Sequence, residues 1–220
     1  MQAFLDSANL EEVKIALSKG WLRGITTNPT IMAREPKTNY AGHIQKIADL
    51  CQEANQPVSL SIEVFARDAA GMLQQAREFV KEVRYPSLAI KIPVAPETMG
   101  VIAALAGEGV RVNVTCGVTS GQGALAAAAG ATFYSLFFHR IKDLGTDAAQ
   151  TVRDTKTLIA GSGTQIICGS IRNVDDILEC SLAGSDIVTA PLKLWEEMAH
   201  HAKSVEWNEK FLQDFAAWIK

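Results

Sequence analysis

This chain has little of what several large functional classes require. Its four cysteines, Cys51, Cys116, Cys168 and Cys180, lack metal-site spacing and sit in apolar or mixed segments. That predicts reduced thiols in a cytoplasmic protein, with no disulfide framework. Cationic residues are not in excess: 21 Lys and Arg stand against 24 Asp and Glu, for a formal net charge of −3. No basic stripe for nucleic acid follows from that balance. No run approaches the roughly 20 apolar residues of a membrane span, and the opening Met1-Gln2-Ala3-Phe4-Leu5-Asp6 does not read as a signal peptide. The Gly-rich fingerprint of dinucleotide-binding sheets is missing after the first β-rich run. His200-His201 has no third ligand in view, so neither a metal nor a cofactor is expected.

What is present is a regular alternation. Short β-rich runs (Ala3–Asp6, Leu22–Asn28, Val58–Val64, Leu88–Val94, Val110–Thr115, Thr132–Phe137, Gln165–Ser170 and Asp186–Ala190) are separated by helical patterns such as Tyr40–Glu53, Ala66–Val83 and Val174–Ala183. Asn9 before Leu10-Glu11-Glu12, and Asn173 before Val174-Asp175-Asp176, read as helix N-caps with acids in the first turn. Eight β/α units in this length predict an α/β fold, a single (β/α)8 TIM barrel over residues 1–220. A doubly wound open sheet is the competitor. Residues 204–220 are surplus to the eight units. Trp207, Phe211, Phe215 and Trp218 recur there at helical spacing and predict an extra C-terminal helix that packs on the barrel or on a neighbouring subunit.

The most informative residue is Lys91, alone in the apolar run Ser87-Leu88-Ala89-Ile90-Lys91-Ile92-Pro93. Lysine is rarely buried without a partner or a function. Low dielectric disfavours an ammonium, and a neutral amine is a nucleophile for carbonyl carbon. Side chains alternate along a barrel strand between lumen and helices. If the aliphatic set faces the helices, the lumen receives Asp6, Thr26 and Asn28, then Ser59, Ser61 and Glu63, then Ala89, Lys91 and Pro93. Arg111, Asn113 and Thr115 follow on the fifth strand, Ser135 and Phe137 on the sixth, and Ser170 on the seventh. Each polar residue alone is compatible with a satisfied core position. Convergence of so many, mostly toward the C-terminal strand ends where such barrels carry their sites, predicts a catalytic cluster.

Residue chemistry narrows the reaction. A lysine imine is an electron sink for making or breaking an adjacent carbon–carbon bond, and that chemistry needs proton shuttles. Asp6 and Glu63 supply carboxylates, and Thr115 is placed to hold a bridging water beside Glu63. Asn28 and Asn113 suit sugar hydroxyls. Arg140 and the pair Ser170 and Arg172, just before a helix N-terminus, suit a phosphate. His139 reads as an ordinary loop residue.

These residues resemble the transaldolase family, in the short-chain branch that also holds the fructose-6-phosphate aldolases. The carriers are Phe4-Leu5-Asp6-Ser7-Ala8-Asn9, Gly24-Ile25-Thr26-Thr27-Asn28-Pro29-Thr30, Ile90-Lys91-Ile92-Pro93, Asn113-Val114-Thr115 and Gly169-Ser170-Ile171-Arg172, which span nearly the whole chain. The resemblance implies a class I, Schiff-base transaldolase acting on sugar phosphates in carbohydrate metabolism. It implies Lys91, Asp6, Glu63 and Thr115 as catalytic, with Thr26, Asn28, Asn113, Ser135 and Phe137 binding substrate and Arg140, Ser170 and Arg172 binding phosphate. It further implies a homo-oligomer, a pentamer or decamer, with the last helix laid over a neighbour. Within the branch, Glu63, Phe137 and Asn113 stand where the aldolases differ, which favours transfer over release of free dihydroxyacetone. The alternatives are an aldolase-type lyase and a non-catalytic sugar-phosphate-binding barrel. Leu136, His139, Cys116-Gly117-Val118 and the tail depart from the usual pattern and bear on the acceptor and the subunit arrangement.

Overall fold

The computed structural model describes residues 1–37 and 39–219. Eight parallel strands close a barrel in sequence order: β1 (Gln2–Asp6), β2 (Leu22–Thr26), β3 (Ser59–Glu63), β4 (Leu88–Pro93), β5 (Arg111–Gly117), β6 (Phe133–Phe137), β7 (Gln165–Gly169) and β8 (Ile187–Ala190). Closure by pairing of β1 with β8 excludes the open doubly wound sheet. The helices are α1 (Leu10–Ser18), α2 (Pro29–Met32), α3 (Tyr40–Glu53), α4 (Ala69–Glu82), α5 (Met99–Gly107), α6 (Ser120–Ala128), α7 (Phe138–Asp143), α8 (Ala148–Leu158), α9 (Val174–Leu182), α10 (Leu192–Ala199) and α11 (Ala202–Trp218).

The expected caps form. The Asn9 side chain accepts from the amides of Glu11 and Glu12, and that of Asn173 accepts from Asp176. Several strand ends differ from the expected ones by one or two residues: β2 stops two residues earlier, at Thr26, and β5 runs two residues further, to Gly117. Asn28, expected in β2, is instead the N-cap of α2 and accepts from the Ile31 amide at 3.0 Å, with Pro29 at the first helical position. That is where proline's fixed φ fits a helix.

Aliphatic residues facing the helices, among them Leu60, Ile62, Ile90, Ile92, Val112 and Val114, build the main core. The barrel lumen is a separate packing unit. Phe4, Ala89, Phe133, Ile167 and Ile187 plug its N-terminal half. Gly24 belongs to this plug, because a Cβ there would lie 2.3 Å from the Phe4 ring. Above the plug comes a polar layer. Ser135 Oγ donates to Asn113 Oδ1 at 2.7 Å, and Asn113 Nδ2 donates to Ser61 Oγ at 3.2 Å.

The inner positions of β7 differ from the expectation. Ile167 lies in the plug, so alternation sends Gly169 inward and Ser170 outward. Ser170 still reaches the lumen because it lies beyond the strand with φ 58°. A second irregularity interrupts the pairing of β5 with β6 between Val114 and Gly117, where Cys116 has φ 62°.

α11 begins at Ala202, two residues earlier than read, and all of its residues are exposed. Trp207, Phe211, Phe215 and Trp218 are 56%, 68%, 57% and 79% accessible, so the barrel does not cover this face. No helix among the described residues is long and apolar enough to cross a membrane.

Candidate active site

A cavity of about 480 Å³ opens at the C-terminal ends of the strands. Register fixes which groups meet there. Glu63 on β3, Lys91 on β4 and Asn113 on β5 are lateral neighbours, as are Asp6 and Thr26 on β1 and β2. Lys91 Nζ lies 2.9 Å from Glu63 Oε2, with side-chain exposures of 7% and 12%. It also donates to the Thr27 carbonyl at 2.8 Å. An ammonium has three donors, so two are held by the protein and the nitrogen stays aimed at the cavity.

Asp6 occupies the opposite wall. Thr26 Oγ1 donates to Asp6 Oδ1 at 2.7 Å, and Thr189 Oγ1 lies 2.6 Å from the same Thr26 hydroxyl. Burial pushes the Asp6 carboxyl above its usual range, against the opposing pull of the Thr26 hydrogen bond and the Lys91 charge. A carboxyl so tuned gives and takes a proton closer to neutral pH than a solvated one.

Thr115 lies on the cavity wall and is fully buried, yet its Oγ1 makes no hydrogen bond to the described residues. Buried hydroxyls are nearly always satisfied. One left open on a cavity wall is placed to hold a water.

Of the residues expected from the sequence, Asp6, Thr26, Asn28, Glu63, Lys91, Thr115, Ser135, Phe137, Arg140 and Ser170 all line this cavity. Two do not. Asn113 is fully buried, and its side-chain hydrogen bonds join Ser61 and Ser135 in the layer beneath the cavity. The Arg172 guanidinium turns to Asp143, with Nη2 to Oδ2 at 2.5 Å, and the cavity wall does not include it. The reason is local. Asp176, fully buried, takes the Arg172 amide at 3.0 Å, and the chain there enters α9 with the side chain running over α7. His139, read as an ordinary loop residue, lies on α7 and is 2.6 Å from Asp176 Oδ2 through Nδ1.

The cavity also contains residues that the sequence reading passed over. Arg34 lies beyond the short α2 helix and reaches the mouth, Cys116 enters through the β5 irregularity, and Thr189 comes from β8. The signal for Arg34 was the Asn28-Pro29 helix start, which turns the chain across the barrel end. Arg140 reaches the opposite side from α7 and stacks on Phe137, guanidinium to ring centroid 4.8 Å.

Comparison with known proteins shows the family. Residues 3–219 match the transaldolase/fructose-6-phosphate aldolase family. The chain is 37% identical over 222 residues to a protein named probable transaldolase from Kosmotoga olearia, covering 100% of this chain and 98% of that one. It is 38% identical over 220 residues to another of that name from Roseiflexus sp., covering 99% and 98%. In structure it is similar to a thiamine phosphate pyrophosphorylase from Pyrococcus furiosus, with a TM-score of 0.62 at 12% identity, covering 90% of this chain and 93% of that one. At that identity the likeness concerns the barrel alone.

Proposed function

We propose that this chain, which belongs to the transaldolase/fructose-6-phosphate aldolase family, transfers a dihydroxyacetone unit between sugar phosphates through an imine on Lys91. The observation that carries the reading is the buried Lys91–Glu63 contact, with Asp6 across the same cavity.

The chemistry follows from the positions. Glu63 takes a proton from the Lys91 ammonium, and the neutral Nζ adds to the ketone carbon of a ketose phosphate such as sedoheptulose 7-phosphate or fructose 6-phosphate. Glu63, through a water held by Thr115 Oγ1, protonates the departing hydroxyl of the carbinolamine, and loss of water leaves the protonated imine. Asp6 takes the proton of the C4 hydroxyl. The C3–C4 bond breaks, its electrons flow into the imine to give an enamine, and an aldose phosphate departs. An incoming aldose phosphate such as glyceraldehyde 3-phosphate or erythrose 4-phosphate is attacked by enamine C3. Asp6 returns its proton to the new alkoxide, and water then releases the product ketose from Lys91.

Binding groups are assigned by reach. Asn28 and Ser135 meet sugar hydroxyls, while Thr26 orients Asp6. Asn113 acts through Ser135 and Ser61 as a positioning residue. Arg140 and Ser170 hold the phosphate, with Arg34 as a further cation at the mouth. Phe137 puts a hydrocarbon edge on the cavity where a hydroxyl would offer a proton to the enamine. This supports transfer over release of free dihydroxyacetone.

Borohydride reduction in the presence of fructose 6-phosphate tests the imine. Intact mass should rise by a reduced dihydroxyacetone or hexose phosphate adduct located on Lys91. Absence of any adduct, or an equal adduct on Lys91→Ala, sinks the proposal.

The uncovered face of α11 belongs to the same reading. Its aromatic row is exposed and lacks a cover from the barrel, and such patches mark interaction surfaces. We assign that cover to a second copy of this chain in a ring-like homo-oligomer.

A further inference from the structure

The opposite end of the barrel holds a second cavity, of about 510 Å³, at the N-terminal ends of the strands. The N-terminal end of a barrel ordinarily serves stability. This one is poorly built for that alone. Arg111 enters it from β5, half-buried, with its guanidinium 5.1 Å from the Phe133 ring centroid. Its side chain donates to the Ser87 carbonyl at 3.0 Å, and no carboxylate among the described residues pairs with it. Burial holds its pKa below the ordinary value, as it must for a charge removed from water without a counter-ion.

Arg23, exposed at the rim, donates to the carbonyls of Gly20 and Leu22 at 3.1 and 2.9 Å and likewise has no carboxylate within ion-pair distance among the described residues. Ser59 completes the polar set. It points inward from β3 into this cavity, is 92% buried, and its Oγ makes no hydrogen bond to the described residues. A guanidinium desolvated without neutralisation and a buried hydroxyl without a partner each cost stability. Both costs are removed by one oxyanion placed between them. Phe4, Phe133, Pro57 and Val58 form the apolar part of the remaining wall, and Gln2, Ser87 and Gln165 the polar part.

We propose that this N-terminal cavity is a second binding site, for a small phosphate monoester with an apolar body, held by Arg111, Arg23 and Ser59. The phosphate meets the two guanidiniums and the hydroxyl, and the body lies against the Phe133 and Phe4 rings. The site is separated from the catalytic cavity by the plug of the lumen, and it does not rest on the transfer chemistry.

Calorimetric titration of the full chain tests it, with phenyl phosphate and inorganic phosphate as the two probes. Four proteins are compared: wild type, Arg23→Ala, Arg111→Met and Arg140→Met. Loss of one charge-assisted hydrogen bond weakens binding by about tenfold or more. Arg111→Met should therefore abolish one class of phenyl phosphate site, and Arg23→Ala should weaken it about tenfold. Arg140→Met should leave that class untouched and affect only binding in the catalytic cavity. Should Arg111→Met fail to fold, Arg23→Ala decides, since that side chain is exposed. Binding unchanged in both Arg23→Ala and Arg111→Met would overturn the site, as would loss of all binding in Arg140→Met alone. Equal affinity for the two probes would overturn the assignment to an ester.

Discussion

Replacing Thr115 by valine separates stability from catalysis at one atom. The exchange keeps the shape of a fully buried side chain and deletes an Oγ1 that no described residue satisfies. A buried hydroxyl without a partner costs about 1–3 kcal/mol, and one bridged by an ordered water carries an immobilisation cost of about 0–2 kcal/mol. In either case valine removes a cost, so Thr115→Val should be between neutral and about 3 kcal/mol more stable. In a domain of this size each kcal/mol moves Tm by about 2–4 °C. Transfer should respond in the opposite direction. Without the hydroxyl the water between Glu63 and the carbinolamine loses its anchor, and positioned proton transfer is worth about 10²–10⁴ in rate. With Glu63 still in place, the lower end applies, and kcat should fall about 100-fold. Thr115→Ser, which restores the hydroxyl, should recover most of the rate. Thermal unfolding and a coupled transfer assay read the two effects on the same samples. A valine variant that keeps wild-type kcat, or that loses stability while Thr115→Ser does not restore the rate, refutes the assignment of a water to Thr115.

Asp6 gives a second dissociation of stability from activity, this time through pH. Its carboxyl titrates higher in the folded chain than the ordinary 3.8, so the folded state binds more protons and stability is lost as pH rises through the folded value. Asp6→Asn should thus raise Tm at neutral pH, with the advantage shrinking as the pH falls toward about 4, while transfer activity collapses. A Tm difference that does not change with pH would remove burial as the cause. Phe137→Tyr puts a hydroxyl donor on the cavity wall. It should increase cleavage of fructose 6-phosphate to free dihydroxyacetone at the expense of transfer, measured with and without erythrose 4-phosphate. If the wild type already cleaves as fast as it transfers, the aldolase reading replaces the transaldolase one. Light scattering checks the α11 assignment: a monomeric mass at micromolar concentration contradicts it, and Phe211→Glu should dissociate the assembly without unfolding the barrel.

The order of the eight strands, the interior set of most of them and the caps at Asn9 and Asn173 follow from local rules, with β7 the exception. Alternation has a period of two, and an Asn just before a helix start caps the amides two or three residues on. With those rules Lys91 was legible as an anomaly and Glu63 as its companion, because lateral neighbours in a parallel barrel share a height, and Asp6 and Thr115 join them as inward residues near the C-terminal ends of their own strands. What a sequence does not carry is the point where alternation stops. A φ of 58° at Ser170 and of 62° at Cys116 put two side chains into the cavity that strand parity alone would send elsewhere. Arg172 has the same one-dimensional neighbourhood whether it binds a phosphate or an aspartate. Its pairing with Asp143 depended on α7 folding back beside α9, a contact between residues 29 apart. Arg34 gained its place only because α2 is four residues long and crosses the barrel mouth. The second cavity was invisible for a related reason. Arg23, Ser59 and Arg111 are unremarkable in their own strands, and only closure of the barrel brings two guanidiniums and an unpartnered hydroxyl to the same end. Periodicity is a property of neighbours along the chain and determines which face a residue takes. Which residues meet across that face is settled by closure, by register and by the few backbone angles that break the period.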